Sequence, residues 1–499
     1  MNLQTLIKSS HAPDIELLGM AEHTADVEPG FLFLSSGHDS EVRRQHVRAA
    51  INFGAVAILC DENSHVQPPD SVPSIGIADL ASRKGELAAL FYGHPSATLN
   101  CIGVTGTNGK TSVAYHIADL YERVGSHCGY SGTLGWGMLD ALNGADGSAG
   151  LTTANAVMLQ RQLASFKSAG ASAAALEISS HALAQERARD VELNVGIFTN
   201  LSRDHLDYHG TEAAYADAKR KLFTQWPLRT AVVNSDDEFG RSLMSECRMP
   251  VVTYGVGGDW SWQYEESGVG LEVVWQTPFG QFEATLPVLA DFAVANITAA
   301  IVTLTEDGHA PRVLFEHVGQ LRGIPGRMER ISPSLEGVDS DTLPTVVVDY
   351  AHTPDALYKA LAALRTFCVD SKRRLICVVG CGGDRDRGKR AIMGSVATKS
   401  ADQAWFTSDN PRTENPHMII KDMYEGVDAQ QEKCVVECAD RRAAILGSIS
   451  QAGANDIVLI AGKGHESYQE IDGQRYPFDD RIESQLALNS YISQQREMH

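Results

Sequence analysis

The stretch Gly103-Val104-Thr105-Gly106-Thr107-Asn108-Gly109-Lys110-Thr111-Ser112 restricts this chain more than any other. It is read as the phosphate-cradling pattern G-x-x-x-x-G-K-[ST], with Gly103 and Gly109 as its two glycines. Glycine allows positive φ and close backbone approach, so the N–H groups of Gly106, Thr107, Asn108 and Gly109 can converge on phosphate oxygens. Lys110 then reaches the β- and γ-phosphates, and the Thr111 hydroxyl, with Ser112 beside it, faces a magnesium ion. The flanks suit this reading. Asn100 to Val104 reads as a short buried strand, and Val113, Ile117, Leu120 and Val124 recur at helical spacing before Gly125.

Apolar strand-like runs that end in polar clusters recur along the chain. Ala173-Ala174-Ala175-Leu176 leads into Glu177-Ile178-Ser179-Ser180-His181, and Val195-Gly196-Ile197-Phe198 into Thr199-Asn200-Leu201-Ser202-Arg203-Asp204-His205. Ala231-Val232-Val233 leads into Asn234-Ser235-Asp236-Asp237. Parallel α/β sheets carry their ligand groups at the C-terminal ends of strands, so the repetition predicts one nucleotide site built from several strand ends.

Before this part, residues 1–97 read as a small α/β unit, with strands at Phe31–Leu34 and Ala55–Leu59 around a helix from Val42 to Phe53. His94-Pro95-Ser96 is its linker. Residues 98–330 form the central unit, and the alternating, aromatic-rich segment from Pro250 to Pro287 predicts an antiparallel excursion within it. A glycine-rich bend, Gly323-Ile324-Pro325-Gly326, leads to a third unit, 331–499, whose alternating strands and helices predict a second parallel sheet. The fold class expected is therefore α/β, in three domains, as 499 residues allow.

Charge and cysteine content narrow the function classes. Lys and Arg number 42 against 63 Asp and Glu, a net charge of −21, which argues against a nucleic-acid surface. Anionic substrates must then be held by locally concentrated cations. No run approaches the roughly 20 apolar residues of a membrane span, and Met1-Asn2-Leu3-Gln4-Thr5 has no basic region followed by an apolar stretch, so no secretory signal is expected. The nine cysteines include no CxxC pair; Cys377/Cys381 and Cys434/Cys438 lack zinc-site partners, and free thiols in a reducing cytoplasm are expected. A soluble monomer acting on small molecules fits these features.

Glu177 and His205 stand at strand ends where a magnesium ligand is wanted, since Mg²⁺ takes few protein ligands, usually oxygen, beside substrate phosphates. Alone, His205 reads as a hydrogen-bonded structural histidine, and Lys219 as a solvated helix lysine. Asp409-Asn410-Pro411-Arg412 has the residues of a surface turn, yet its guanidinium beside a stiff proline could hold a carboxylate bidentately.

Taken together and in order, these motifs resemble those of the Mur ligases of peptidoglycan synthesis, and among them the diaminopimelate-adding enzymes. The carriers are Gly106 to Thr111, Glu177 to His181, Thr199 to Gly210, Pro325-Gly326-Arg327-Met328-Glu329, Asp349-Tyr350-Ala351-His352-Thr353-Pro354-Asp355 and Asp409 to Arg412. The resemblance runs from about residue 100 to the C-terminus and is weaker before it. It implies a UDP-binding N-terminal domain, an ATP-binding central domain and a Rossmann-like C-terminal domain for the amino acid. The implied reaction activates the D-glutamate carboxylate of UDP-N-acetylmuramoyl-L-alanyl-D-glutamate as an acyl phosphate, at the expense of ATP, and then forms an amide with meso-diaminopimelate.

By position, the resemblance assigns catalysis to Lys110, Glu177, His205 and Lys219, and the metal to Thr111, Glu177, His205 and Lys219, the last as a carbamate. That reverses the solitary reading of Lys219, because a carbamate turns a cation into an anionic oxygen ligand. Asn296, Arg327, Asp349 and His352 fall near adenosine and phosphates. Thr24, His38, Thr152, Thr153, Ser179, Gln185 and Arg187 fall on the UDP-linked dipeptide. Arg385, Asp409, Asn410, Pro411, Arg412, Gly462 and Glu466 fall on diaminopimelate, with Arg412 at its far carboxylate. The chain departs from the family at His23-Thr24-Ala25, where Asp-Ser-Arg is usual, and at Ala293, where the first of two asparagines is usual; His38, Asp39 and Ser40 match only loosely. A folate-polyglutamate, lysine-adding or cyanophycin-type ligase is the nearest alternative, and Asp409 to Arg412 with Gly462-Lys463-Gly464-His465-Glu466 speak against the first two. A non-catalytic nucleotide-binding protein is opposed by the joint presence of Lys110, Thr111, Glu177, His205 and Lys219.

Overall fold

The computed structural model describes residues 1–37, 40–62, 72–144, 151–267, 270–335, 342–368 and 373–498. His38 and Asp39 lie outside the described residues. The chain packs as two compact units. The first comprises Met1–Trp262, Trp275–Phe282 and Asn296–Val318, and the second Gln263–Val274, Glu283–Ala295 and Gly319–His499.

The first unit holds two sheets. The N-terminal sheet has β1 (Gly19–Ala21), β2 (Phe31–Ser35), β3 (Ala57–Asp61) and β4 (Ser74–Ile77) in sequential order, all parallel. Phe31 to Ser35 is buried throughout, as a parallel strand covered on both faces must be.

The second sheet has seven strands: β5 (Asn100–Thr105), β6 (Cys128–Gly132), β7 (Gly135–Gly137), β8 (Ala173–Glu177), β9 (Val195–Phe198), β10 (Thr230–Asn234) and β11 (Val251–Tyr254). Their order is β11-β10-β9-β5-β8-β6-β7, parallel except for β7. Central β5 lies between β8 and β9, so the loops after these three strands open at the same edge.

The antiparallel excursion expected from Pro250 to Pro287 starts later than the sequence suggests. Val251–Tyr254 pairs parallel to β10, with Ala231 opposite Val251, because its apolar residues complete the edge of the main sheet. A separate three-stranded sheet follows: β12 (Ser261–Ser267), β13 (Gly270–Thr277) and β14 (Gly280–Leu286). Only Pro278 and Phe279 separate β13 from β14, a connection that antiparallel neighbours alone can use.

The second unit is built on a six-stranded sheet: β15 (Glu329–Ile331), β16 (Thr345–Asp349), β17 (Leu375–Cys381), β18 (Gln403–Ser408), β19 (Val435–Glu437) and β20 (Ile457–Ala461), in the order β15-β16-β20-β17-β18-β19. Only β15 runs antiparallel to its neighbour. A hairpin of β21 (Tyr468–Ile471) and β22 (Gln474–Pro477) follows. Apolar clusters cover both faces of this sheet, one around Leu357, Phe406 and Met423, the other around Trp405, Ile445 and Leu488.

One buried ion pair bears on the placement of the C-terminal loops. Arg441 and Asp480 are both fully buried, 2.7 Å apart, and Arg441 also donates to the carbonyls of Ser408 and Ala461, the last residues of β18 and β20. Removing one partner strands the other charge in the interior, which costs about 3–5 kcal/mol. Arg441→Met is therefore expected to lower the melting temperature markedly. An unchanged melting curve would show that the pair contributes nothing.

Candidate active site

Two constellations emerge, one in each unit. In the first, the loop after β5 carries the expected phosphate cradle, with one correction to its alignment. Counted back from Gly109, the first glycine of G-x-x-x-x-G-K-[ST] falls at Val104, and Gly103 stands one position too early, inside β5. The glycine that the turn requires is Gly106, with φ of 150°, where a Cβ would collide with Thr199 Oγ1. Gly109, with φ of 87°, precedes the helix Lys110–Arg123, and a Cβ there would lie 2.6 Å from Asn296 Oδ1.

The cradle is held from β9. Thr107 N donates to Asn200 O, Asn108 N donates to Asn200 Oδ1 at 3.0 Å, and Asn200 Nδ2 and Thr199 Oγ1 donate to Asn108 O. Fixing the loop before ligand arrives lowers the ordering cost of binding. Lys110 Nζ donates to Gly106 O and Thr107 O, both at 2.9 Å. Ser112 follows in the first turn of the helix, half-buried.

Glu177 ends β8 fully buried and is surrounded by donors. Tyr130 OH (2.6 Å) and Thr133 N (2.8 Å) donate to Oε1, and Thr111 Oγ1 (3.0 Å) and Thr133 Oγ1 (3.1 Å) to Oε2. Sequence reasoning found Glu177 and Thr111 but missed Tyr130 and Thr133, whose role depends on contacts between distant segments.

The solitary reading of Lys219 as a solvated lysine is overturned. It is 1% exposed, donates to Gly106 O at 2.7 Å and lies 4.3 Å above the Tyr215 ring. Burial, and then repulsion from Lys110, holds its pKa well below the usual lysine value. A sequence signal for this existed: Tyr215, Leu222 and Phe223 are buried at i−4, i+3 and i+4, which puts Lys219 on the inward face of the helix Glu212–Gln225.

His205 is 43% exposed, with Nε2 3.4 Å from Asp204 Oδ2 and its ring 4.8 Å from that of His181. Burial, with Lys110 and Lys219, pushes its pKa down against Asp204, favouring the neutral imidazole that can ligate a metal. Among the described residues no group of three or more His, Cys, Asp and Glu side chains is placed to hold a metal ion. Glu177 and the Thr111 hydroxyl, whose Oγ1 lies 3.0 Å from Oε2, are oxygen donors of the kind Mg²⁺ takes, and an anionic oxygen suits that ion better than a lysine ammonium. His205 meets Asp204, His181 and Tyr215 instead.

Beside Glu177 lies a connected polar group. Thr153 Oγ1 donates to Glu177 O (2.7 Å) and accepts from Ser179 N (2.9 Å). Arg187 donates to Thr153 O and, through Nε and NH2, to Gln185 Oε1, while Gln185 Nε2 donates to Tyr208 OH. Thr152 is next to Thr153, half-buried. Thr24 opens a short 3-10 helix, Thr24–Asp26, capped by His23 Nδ1 accepting from Ala25 N.

In the second unit, Asp349 at the end of β16 accepts from Met328 N (2.7 Å) and Ala351 N (2.8 Å). Burial raises its pKa against the Arg327 guanidinium. Arg327 lies 4.3 Å above the Tyr350 ring, and His352 Nδ1 is 2.9 Å from Tyr350 O. These groups form one corner of the unit.

The loops after β17, β18 and β20 bring the other predicted residues together. Asp409 is buried; burial pushes its pKa up, but Lys463 and Arg441 hold it below the usual value. Gly462, with φ of 120°, has room for no Cβ, which would lie 2.7 Å from Asp409 Oδ2. Asn410 Nδ2 donates to Glu466 Oε2 at 2.8 Å. After Pro411, Arg412 adopts φ of 51°, donates through NH1 to Gly383 O (2.7 Å), and has Nε 3.4 Å from Glu470 Oε2. Exposed Arg385 lies with Arg412 at Gly382. Beneath them, fully buried Arg390 joins Glu414, Asp422 and Gly382 O. Arg390, Lys463 and Glu470 were missed from sequence, although Lys463 sits inside the Gly-Lys-Gly-His-Glu segment.

All nine cysteines are free, and no helix among the described residues is long and apolar enough to cross a membrane.

The chain matches known proteins over most of its length. Residues 104–304 match the Mur ligase middle domain, and residues 326–464 the Mur ligase glutamate ligase domain. A Pseudomonas aeruginosa protein named UDP-N-acetylmuramoyl-L-alanyl-D-glutamate--2,6-diaminopimelate ligase is 43% identical over 472 residues, 93% of each chain. A Coxiella burnetii protein of the same name is 41% identical over 95% of this chain and 96% of its own. A solved structure of a ligase so named shares 35% identity and a TM-score of 0.66, covering 98% of this chain and 99% of that one. On these matches, which extend over nearly the whole length, the chain belongs to the Mur ligase family.

Proposed function

We propose that this protein is a cytoplasmic, ATP-dependent ligase that joins meso-2,6-diaminopimelate to the D-glutamate carboxylate of UDP-N-acetylmuramoyl-L-alanyl-D-glutamate. The observation that carries this reading is identity above 40% along at least 93% of the chain with proteins of that name. In this reading residues 1–97 hold the UDP, 98–330 the ATP and 331–499 the amino acid.

The chemistry must bring two anions together, since a carboxylate oxygen attacks the γ-phosphorus and ADP leaves. Lys110 swings from the carbonyls of Gly106 and Thr107 to the phosphate oxygens, and the N–H groups of Gly106 and Gly109 offer donors to the charge that spreads over the phosphoryl group, while those of Thr107 and Asn108 stay on Asn200 and hold the loop in shape. A magnesium ion held by Thr111, Glu177, His205 and a carbamate on Lys219 would supply Lewis-acid neutralisation of that charge. Asn296, Arg327, Asp349 and His352 are assigned to adenosine and phosphates. Thr24, His38, Thr152, Thr153, Ser179, Gln185 and Arg187 orient the UDP-linked dipeptide.

The acyl phosphate then meets the amine of diaminopimelate. The N–C bond forms through a tetrahedral intermediate, phosphate departs with the C–O bonding pair, and the nitrogen loses its proton. Arg412 and Arg385 face the carboxylates of the amino acid, Asp409 and Glu466 its ammonium, and Asn410, Pro411 and Gly462 shape the pocket. L-Lysine has no second carboxylate, and a site built for such a group rejects the analogue lacking it by about 10⁴-fold.

ADP release measured with each substrate omitted in turn tests the reading. Turnover is expected only when ATP, the UDP-linked dipeptide and meso-diaminopimelate are all present. Equal turnover with L-lysine would refute the specificity; ADP release independent of both acceptors would refute the ligase itself.

A further inference from the structure

We propose that Lys463 is the positioning residue of the amino-acid site, whose buried ammonium fixes the Asn410 amide and the Glu466 carboxylate so that Glu466 and Asp409 face the distal ammonium of the diamino acid. The inference rests on the function proposed above and extends it to a residue that this function did not use. Lys463 is fully buried, an unusual place for an ammonium unless it is paired. Its Nζ donates to Asn410 Oδ1 at 3.0 Å and to Glu466 Oε2 at 2.9 Å, and lies 5.6 Å from the Tyr468 ring centroid.

The amide orientation follows from these contacts. Asn410 Oδ1 accepts from Lys463 Nζ and from Glu470 N (2.9 Å), which uses both of its lone pairs. The amide nitrogen must then point the other way, and it donates to Glu466 Oε2. Two donors thus anchor one oxygen of Glu466. Its other oxygen, Oε1, receives no hydrogen bond among the described residues, on a side chain 20% exposed, and is the acceptor left for a substrate ammonium. Asp409 belongs to the same group: its Oδ1 accepts from Asn410 N (2.6 Å), and its Oδ2 lies against Gly462, the residue before Lys463. Lys463 touches no reacting atom. It acts through Asn410 and Glu466.

Two amino acids separate this role from a purely structural one. meso-Diaminopimelate carries the distal ammonium, whereas 2-aminopimelate keeps both carboxylates and the reacting amine but lacks it. Lys463→Met retains length and apolar packing. The variant is expected to raise KM for diaminopimelate about 30-fold, the scale of a lost charge-assisted hydrogen bond. KM for ATP should be unchanged, and KM for 2-aminopimelate should change less than about 3-fold, because that substrate never uses the ammonium acceptors. Equal losses for the two amino acids, or none for either, would overturn the proposal. If Lys463→Met does not fold, Lys463→Gln, which keeps a donor toward Asn410 and removes the charge, enters the same comparison. Failure of both variants to fold would make the lysine structural and also overturn it. A wild-type enzyme that does not use diaminopimelate would instead refute the underlying function.

Discussion

Lys219→Ala is expected to lower kcat by roughly 10³-fold, the scale on which one preorganised charged group acts in a transition state, and added formate or acetate is expected to restore part of the loss. The structure supplies the reason. At its ordinary pKa a lysine is neutral in about one molecule in 10³ near pH 7.5, too few to react readily with carbon dioxide. Burial of Lys219, with Lys110 as a second cation on the same Gly106 carbonyl, depresses the pKa and so shifts the balance toward the neutral amine. The sign is the one required: the amine nitrogen attacks carbon dioxide, an N–C bond forms, and a proton leaves to solvent. A carbamate would relieve the repulsion between two ammonium groups and would add an anionic oxygen to the proposed set of Glu177, Thr111 and His205. Activity should therefore fall when dissolved carbon dioxide is depleted and return with bicarbonate. An alanine variant not rescued by any short carboxylate, together with a wild type indifferent to bicarbonate, would remove the carbamate from the mechanism.

Lys219 also shows where sequence reading fails and why. Residue type argued for solvent, because lysines are seldom buried, and that reasoning ignored the helix face. With Tyr215, Leu222 and Phe223 turned inward, the helical period places Lys219 inward as well. The phosphate loop is plain in the Gly-Lys-Thr sequence, but its first glycine is not Gly103. What identifies Gly106 is the Thr199 hydroxyl pressed against it, a contact between residues 93 positions apart that no local pattern contains.

The supports of the predicted residues share this limit. Tyr130 and Thr133 around Glu177, and Arg390 beneath the Arg412 loop, are chosen by tertiary packing; as isolated residues they resemble any tyrosine, threonine or arginine. Strands were legible where they are unbroken apolar runs, as in β8, β9 and β10, whereas β6 is as buried but its Cys-Gly-Tyr-Ser-Gly sequence carries no such run. The segment after Pro250 was less so, because Val251–Tyr254 is as suited to an edge of a parallel sheet as to a hairpin.

Arg412→Ala is expected to raise KM for diaminopimelate by about 10²-fold or more, the effect of removing one partner of a carboxylate–guanidinium pair, while KM for ATP stays within about 2-fold. The backbone at Arg412 favours a clean comparison. Its φ of 51° is a strained, left-handed conformation for any residue with a Cβ, so alanine inherits the same strain and removes only the side chain. That conformation is held by Arg412 N donating to Glu470 O and Asp472 N donating to Arg412 O, bonds that tie the loop to the β21–β22 hairpin and survive the substitution. The guanidinium is aimed by its own contacts, NH1 to Gly383 O and Nε toward Glu470, and among the described residues NH2 receives no partner. A group so oriented matches a planar carboxylate, and lysine cannot reproduce the fork, so Arg412→Lys should recover little. L-Lysine as substrate should lose much less than diaminopimelate from Arg412→Ala, since it has no far carboxylate to lose. Comparable increases in KM for ATP and diaminopimelate, or an identical loss with both amino acids, would show that Arg412 maintains the loop and leaves the choice of amino acid to other residues.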